Sequence, residues 1–200
     1  MPNEKEYQGE VFKTLSKFGW AIKLQADVIV CTNCHKPIHL QHTGLADYHC
    51  DVIAREGKPF PIKVEMKANY RRFELSQIVP EQINFLTEWH EKTKGNAYIW
   101  LQLGEDKVNS KKTIYPRSAW LIPAPYFFYC MATVQEKGGV KYIPMNTATA
   151  NDGRIKDKLL TCENLFYAYH LEWTGKGIWR PNKDHVIYKD SRTQYDDFSK

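Results

Sequence analysis

Apolar residues recur at helical spacing from Glu4 to Phe18, where Tyr7, Val11, Phe12, Leu15 and Phe18 are read as one stripe and Gly19 follows as a C-terminal stop. Trp20 to Val30 is rich in branched and aromatic residues, which predicts a strand leading into a Cys-rich segment, residues 31–42. Two further strand-like runs follow, one over His49–Ala54 and one around Val64–Lys67, joined by the turn-like Arg55-Glu56-Gly57-Lys58-Pro59. After a basic link, Asn69-Tyr70-Arg71-Arg72, helical spacing returns from about Pro80, a residue tolerated in a first turn because its missing N–H has no partner there. Gln82, Phe85, Leu86 and Trp89 share the inner face of this second helix.

Ala97–Leu103 is almost continuously apolar, which predicts a strand buried on both faces at the centre of a sheet. Ser118–Ile122 reads as another strand beyond a charged loop. Helix-like and strand-like pieces alternate, so the expected class is α/β, with a mixed central sheet flanked by helices. Past Asn151 the pattern weakens. The expected organisation is a core over residues 1–150 and a C-terminal extension over 151–200 that ends in a loose tail.

At 200 residues and 42% hydrophobic, the chain can bury one substantial core. A formal charge of +5 leans toward a polyanionic partner and fits an ordinary basic protein equally well. No run of about twenty apolar residues is present and the first residues are polar, so an intracellular, cytoplasmic protein with no membrane partner is expected. Five cysteines at uneven spacing argue against a disulfide framework and for reduced thiols.

Candidate chemistry centres on Val64-Glu65-Met66-Lys67. Alternation along a strand sends Glu65 and Lys67 to one face. A hairpin centred on Lys58 would set Asp51 opposite Glu65, bringing two carboxylates and an amine together. Such a group suits Mg2+ or Mn2+ held against a phosphodiester. The bland alternative is a solvated charge pair on an open sheet face. Asp47 is a rival to Asp51, but the same hairpin centre would place it opposite Asn69.

In order, Tyr7-Gln8-Gly9-Glu10 ending at Phe18-Gly19-Trp20, Cys50-Asp51-Val52-Ile53-Ala54, Glu65-Met66-Lys67, and Ile78-Val79-Pro80-Glu81-Gln82 resemble the motifs of the PD-(D/E)xK nuclease superfamily. The closest likeness within it is to Holliday junction resolvases of the Hjc and RecU types. Trp120–Ala124 and Gly138–Pro144 are similar to the closing elements of the RecU group, although a cysteine stands before Asp51 where that family usually has proline.

The resemblance implies a restriction-endonuclease-like core and a Mg2+-dependent endodeoxyribonuclease that cuts branched DNA as a homodimer. It also implies Glu10, Asp51 and Glu65 as metal ligands. Lys67 would orient water and stabilise charge, and Gln82, whose amide needs a partner on an apolar face, would join the catalytic set, with a satisfied core glutamine as the competing reading. A superfamily endonuclease acting on linear or flapped DNA is one alternative. A non-catalytic, zinc-stabilised DNA-binding module is another.

The Cys/His-rich insertion between the first two motifs offers Cys31, Cys34, His39 and His42 as a possible Zn2+ set, with a reduced cysteine pair and surface histidines as the competing reading. Lys63, Arg71, Arg72, Lys111, Lys112 and Arg117 are the expected DNA phosphate contacts. Tyr70 and Phe73 are either base-stacking or core residues, and Trp173–Arg180 is either a DNA-facing flap or a lid on the core.

Overall fold

The computed structural model describes residues 4–23, 28–30, 37–39, 46–53, 59–93, 96–104, 117–146, 150, 161–162 and 169–182. In chain order these form α1 (Glu4–Phe18), β1 (Gly19–Lys23), β2 (Val28–Val30), β3 (Pro37–His39), β4 (Tyr48–Ile53), β5 (Pro59–Asn69), β6 (Arg72–Glu74), α2 (Pro80–Thr93), β7 (Ala97–Leu103), β8 (Ser118–Pro123), α3 (Ala124–Thr133), β9 (Tyr142–Pro144), β10 (Tyr169–Trp173) and β11 (Trp179–Pro181).

Seven strands make one mixed sheet in the order β1-β4-β5-β7-β8-β10-β11, with β7 in the middle as its unbroken apolar run predicts. Only β5 and β7 are parallel; every other neighbouring pair is antiparallel. A parallel pair needs a crossover, and α2 lies in the connection. The strand expected over Trp20–Val30 is two strands: β1 pairs with β4 at the sheet edge, whereas β2 pairs with β3 in a separate ribbon. A second ribbon joins β6 to β9.

The sheet separates two apolar layers. Ile99, Leu101 and Leu103 of β7 pack with α2 and α3, through Leu86, Tyr126 and Phe127. Trp100 packs on the other side with Val64, Met66, and Tyr7, Val11 and Leu15 of α1. On α1, Thr14 completes the buried stripe, while Phe12 is 39% exposed. Phe12 follows Val11 by one residue, a rotation of about 100° that carries it off the stripe. After α3 a π-turn over Val134–Gly138 ends at Gly139, whose φ of 59° is the left-handed cap that glycine adopts without a Cβ penalty.

Two strands beyond residue 151 belong to this sheet, while residues 183–200, which include the expected loose tail, lie outside the described residues. β10 extends it from β8, with His170 opposite Trp120, and β11 follows as an edge. Trp179 is 1% exposed and packs on Trp173 at 5.1 Å, so this hairpin closes over the α1 layer. The expected division near residue 150 therefore falls within a single sheet.

Cys50, Cys130 and Cys162 are buried free thiols, and burial pushes the Cys130 thiol up to about 11 despite a hydrogen bond with Tyr126. No helix among the described residues is long and apolar enough to cross a membrane.

Leu101 is fully buried at the centre of the sheet. Leu101→Ala is expected to lower stability by roughly 2–5 kcal/mol through lost burial and the cavity left behind, read from the urea unfolding midpoint. Phe12→Ala should stay within about 1 kcal/mol of the parent in the same measurement, because its side chain lies off the buried stripe and is partly solvated.

Candidate active site

The β4–β5 hairpin pairs Ile53 with Pro59, Asp51 with Pro61 and Tyr48 with Val64, so it is centred on position 56 and not on Lys58. Asp51 therefore sits four positions along β5 from Glu65, about 13 Å at the usual strand rise. This corrects the expected Asp51–Glu65 pairing. Both registers have the same parity, so the alternation of apolar and polar positions does not distinguish them. Pro59 and Pro61 are tolerated because odd positions of β5 direct their backbone groups away from β4, and pairing with β7 begins only at Lys63.

The register that displaces Asp51 brings Asp47 into place. Its N–H donates to the Val64 carbonyl at 3.1 Å, and its Oδ2 accepts the Met66 N–H at 2.7 Å. β5 runs to Asn69, whereas its antiparallel pairing with β4 reaches only Val64. Beyond that point the Met66 backbone faces the open side of the strand, and the Asp47 carboxylate takes the position a further β4 carbonyl would have filled. Asp47 and the backbone of Met66 thus flank Glu65 at the point where the sheet loses a strand.

Glu65 is 2% exposed. A carboxylate so buried requires compensation. Lys67 Nζ lies 2.6 Å from its Oε1, and Gln82 Nε2 donates to the same oxygen at 2.6 Å. The lysine arrives from two residues along the strand, on the same face. The glutamine arrives from the first turn of α2, where its Oε1 accepts the Val79 N–H at 3.3 Å. That bond is half of a capping box: a glutamine three residues into the helix satisfies a donor just before it. It also sets the amide so that its NH2 faces Glu65. The partner required for the Gln82 amide is therefore Glu65 itself.

Glu10 is engaged elsewhere. Its Oε2 accepts from Arg117 Nη2, from Gln102 Nε2 at 3.3 Å and from Trp179 Nε1 at 3.4 Å. Gln102 lies on β7 and also accepts from Trp100 Nε1 at 3.2 Å. This network belongs to the α1 side of the sheet, while Glu65 meets α2 on the other. The Arg117 side chain is only 6% exposed, and its guanidinium lies over the rings of Trp173 at 4.2 Å and Tyr7 at 4.7 Å. Expected as a surface phosphate contact, it is instead a buried cation whose counter-charge is Glu10. Its position after a charged stretch of sequence gave no signal of burial, and Gln102 carried none either.

Among the other expected DNA contacts, Lys63 lies on the Glu65 side of β5 with its Nζ 4.9 Å from the centre of the Trp89 ring. Arg71 and Arg72 are exposed; Arg72 also pairs with Glu74 at 2.6 Å and lies 4.1 Å over Tyr142. Phe73 is fully buried and edge-on to Phe127 at 5.0 Å, which makes it core and not a stacking platform. Lys111 and Lys112 lie outside the described residues, as do Cys31, Cys34 and His42. His39 is described only as the backbone partner of Val28, and Asp51 only through its strand register.

Among the described residues, no three His, Cys, Asp or Glu side chains converge as a metal cage. The donors present suit a different kind of site. Mg2+ is commonly held by one or two carboxylates together with water and substrate phosphate. Asp47, Glu65 and the Met66 carbonyl provide hard oxygen donors of this type, with the Lys67 ammonium beside them.

Lys67→Met leaves the Glu65 carboxylate without its cation, and is expected to destabilise by roughly 3–5 kcal/mol in urea unfolding. Adding Glu65→Gln to that variant should recover most of the loss. A double-mutant cycle with near-additive costs would show that the ion pair has no structural weight. No protein-family profile matches the chain, and no characterised protein matches it in sequence.

Proposed function

We propose that the protein is a metal-dependent endonuclease whose site consists of Asp47, Glu65, Lys67 and Gln82, and that its substrate is branched DNA, with the four-way junction foremost. The observation that carries this reading is the convergence of Lys67 Nζ and Gln82 Nε2 on one Glu65 oxygen, beside Asp47 and at the open side of β5. The order of motifs that resembles the PD-(D/E)xK nucleases is kept, with Asp47 in the role first given to Asp51. Ala46 then stands where that family usually has proline.

Each residue has a separable part. Asp47 and Glu65 hold the divalent ion, which when bound supplies Lewis acidity and a more acidic water. Gln82 fixes the Glu65 carboxylate through an amide whose other end is tied to the start of α2. Lys67 places a positive donor where a phosphodiester gains charge as water adds to phosphorus and one ester P–O bond breaks. Lys63, on the same strand face, and the exposed Arg71 hold backbone phosphates. Glu10 is left out of the ligand set because its Oε2 already accepts from three donors. A four-way junction offers two strands for symmetric cutting, so the reading includes a two-fold homodimer with one site for each.

The test incubates synthetic four-way junctions and matched linear duplexes with Mg2+ and the native protein, Asp47→Asn, Asp51→Asn and Lys67→Ala. Paired nicks near the crossover are expected from the native protein. Asp47→Asn and Lys67→Ala should each lose roughly a hundredfold or more in rate while still binding DNA, and Asp51→Asn should retain activity. Equal cutting of linear duplex would move the assignment to a duplex endonuclease. Binding without cutting, in Mg2+ and in Mn2+, would overturn the catalytic reading.

A further inference from the structure

Lys13, Lys17 and Lys176 are exposed lysines that the fold gathers on the side of the molecule away from Glu65. Lys13 and Lys17 are one helical turn apart on α1, so their side chains emerge as neighbours. Lys176 is brought to them by the β10–β11 hairpin. The Trp179 N–H donates to Thr14 Oγ1 at 3.0 Å, and the Trp179 indole reaches Glu10 one turn earlier. These two bonds fix the hairpin along α1.

The hairpin tip is built for close approach. Gly175 and Gly177, at φ 75° and 76°, flank Lys176 in a conformation that side-chain-bearing residues rarely adopt. A Cβ at Gly177 would lie 3.7 Å from Lys13 Nζ, so the bare backbone lies directly beside that ammonium. The tip is braced by Thr174, whose Oγ1 donates to the Ile178 carbonyl at 2.7 Å and accepts the Lys176 N–H at 3.4 Å. Two acids of these elements have other cations: Glu10 pairs with Arg117 and Glu172 with Arg180. Among the described residues no ion pair neutralises Lys13, Lys17 or Lys176.

We infer that Lys13, Lys17 and Lys176 form a second phosphate-backbone contact surface for nucleic acid, on the sheet face opposite the catalytic site. This extends the nuclease reading by assigning a surface to a further arm of a branched substrate, and it rests on that reading for the identity of the ligand. Three exposed ammonium groups on adjoining elements, with no ion pair among the described residues, suit a polyanionic backbone and carry no base-reading group, so the contact is independent of sequence. The hairpin is thereby divided: Leu171, Trp173 and Trp179 cover the core, while the tip faces the substrate.

The test measures binding of a fluorescent four-way junction and of a single duplex arm without divalent metal, across a salt series. The triple variant Lys13→Ala/Lys17→Ala/Lys176→Ala is compared with the native protein and with Lys92→Ala, a surface lysine paired with Glu88 on α2. The triple variant is expected to bind the junction roughly tenfold to a hundredfold more weakly, with a log–log salt slope shallower by about 2 to 3, while Lys92→Ala changes neither. An unchanged thermal transition shows that the triple variant is folded.

Junction affinity and salt slope equal to the native values in the triple variant would overturn the surface. So would retained DNA binding accompanied by loss of binding to anionic phosphatidylserine vesicles, which would make the surface a membrane contact. Repeating the series in a Glu65→Gln background separates the two proposals. A triple-variant defect that persists there supports the surface even if no nicking is ever seen, whereas nicking with no triple-variant defect removes the surface and leaves the nuclease.

Discussion

The burial of one carboxylate organises this molecule. Glu65 projects from β5 into the layer between the sheet and α2, where an uncompensated charge is not tolerated, so a cation and an amide must come to it. Lys67 follows automatically from strand alternation. Gln82 requires α2 to begin at a particular place and height above the sheet, and its bond to Val79 ties that start to the same side chain. The α2 crossover, the parallel β5–β7 pair and the site are thus consequences of one packing arrangement. The compensation also leaves the carboxylate anchored through Oε1, as the proposed role at a metal and a phosphate requires.

A second carboxylate, the half-buried Glu10, does a similar job on the opposite face with a different result. It draws together α1, β7, the start of β8 and the C-terminal hairpin through Arg117, Gln102 and Trp179. The guanidinium is enclosed by tryptophan and tyrosine rings, which suit a planar, weakly hydrated cation better than they would suit lysine. The two faces therefore divide the labour. One carries the proposed chemistry, and the other holds the terminal hairpin in register, with Lys176 at its tip and Lys13 and Lys17 on α1.

The difference between Asp51 and Asp47 shows where sequence pattern stops being informative. A slip of one residue between β4 and β5 would exchange the buried and solvent faces, and the apolar pattern excludes it. A displacement of four residues keeps every side chain on its face, and nothing in the alternation opposes it. What selects the observed register is the packing of Tyr48, Cys50, Ile62 and Val64 against α1, together with the Asp47 cap on Met66, and both are contacts between distant segments. The burial of Arg117, and the choice between stacking and core for Phe73, lie beyond sequence pattern for the same reason: their types are common both on surfaces and in interiors, and only their neighbours decide.

The sequence by itself determined the two long helices, the inward placement of Tyr7, Val11, Leu15, Gln82 and Leu86, the central position of β7 and the shared face of Glu65 and Lys67, because each follows from periodicity within one segment. Tertiary structure alone decided which aspartate stands beside Glu65, which partner neutralises Glu10, that Trp20–Val30 divides between two sheets, and that β10 and β11 return to complete the main one. Those outcomes depend on pairings between segments far apart in the chain. Local spacing carries no record of them, since many partners satisfy the same pattern and the core chooses among them by fit.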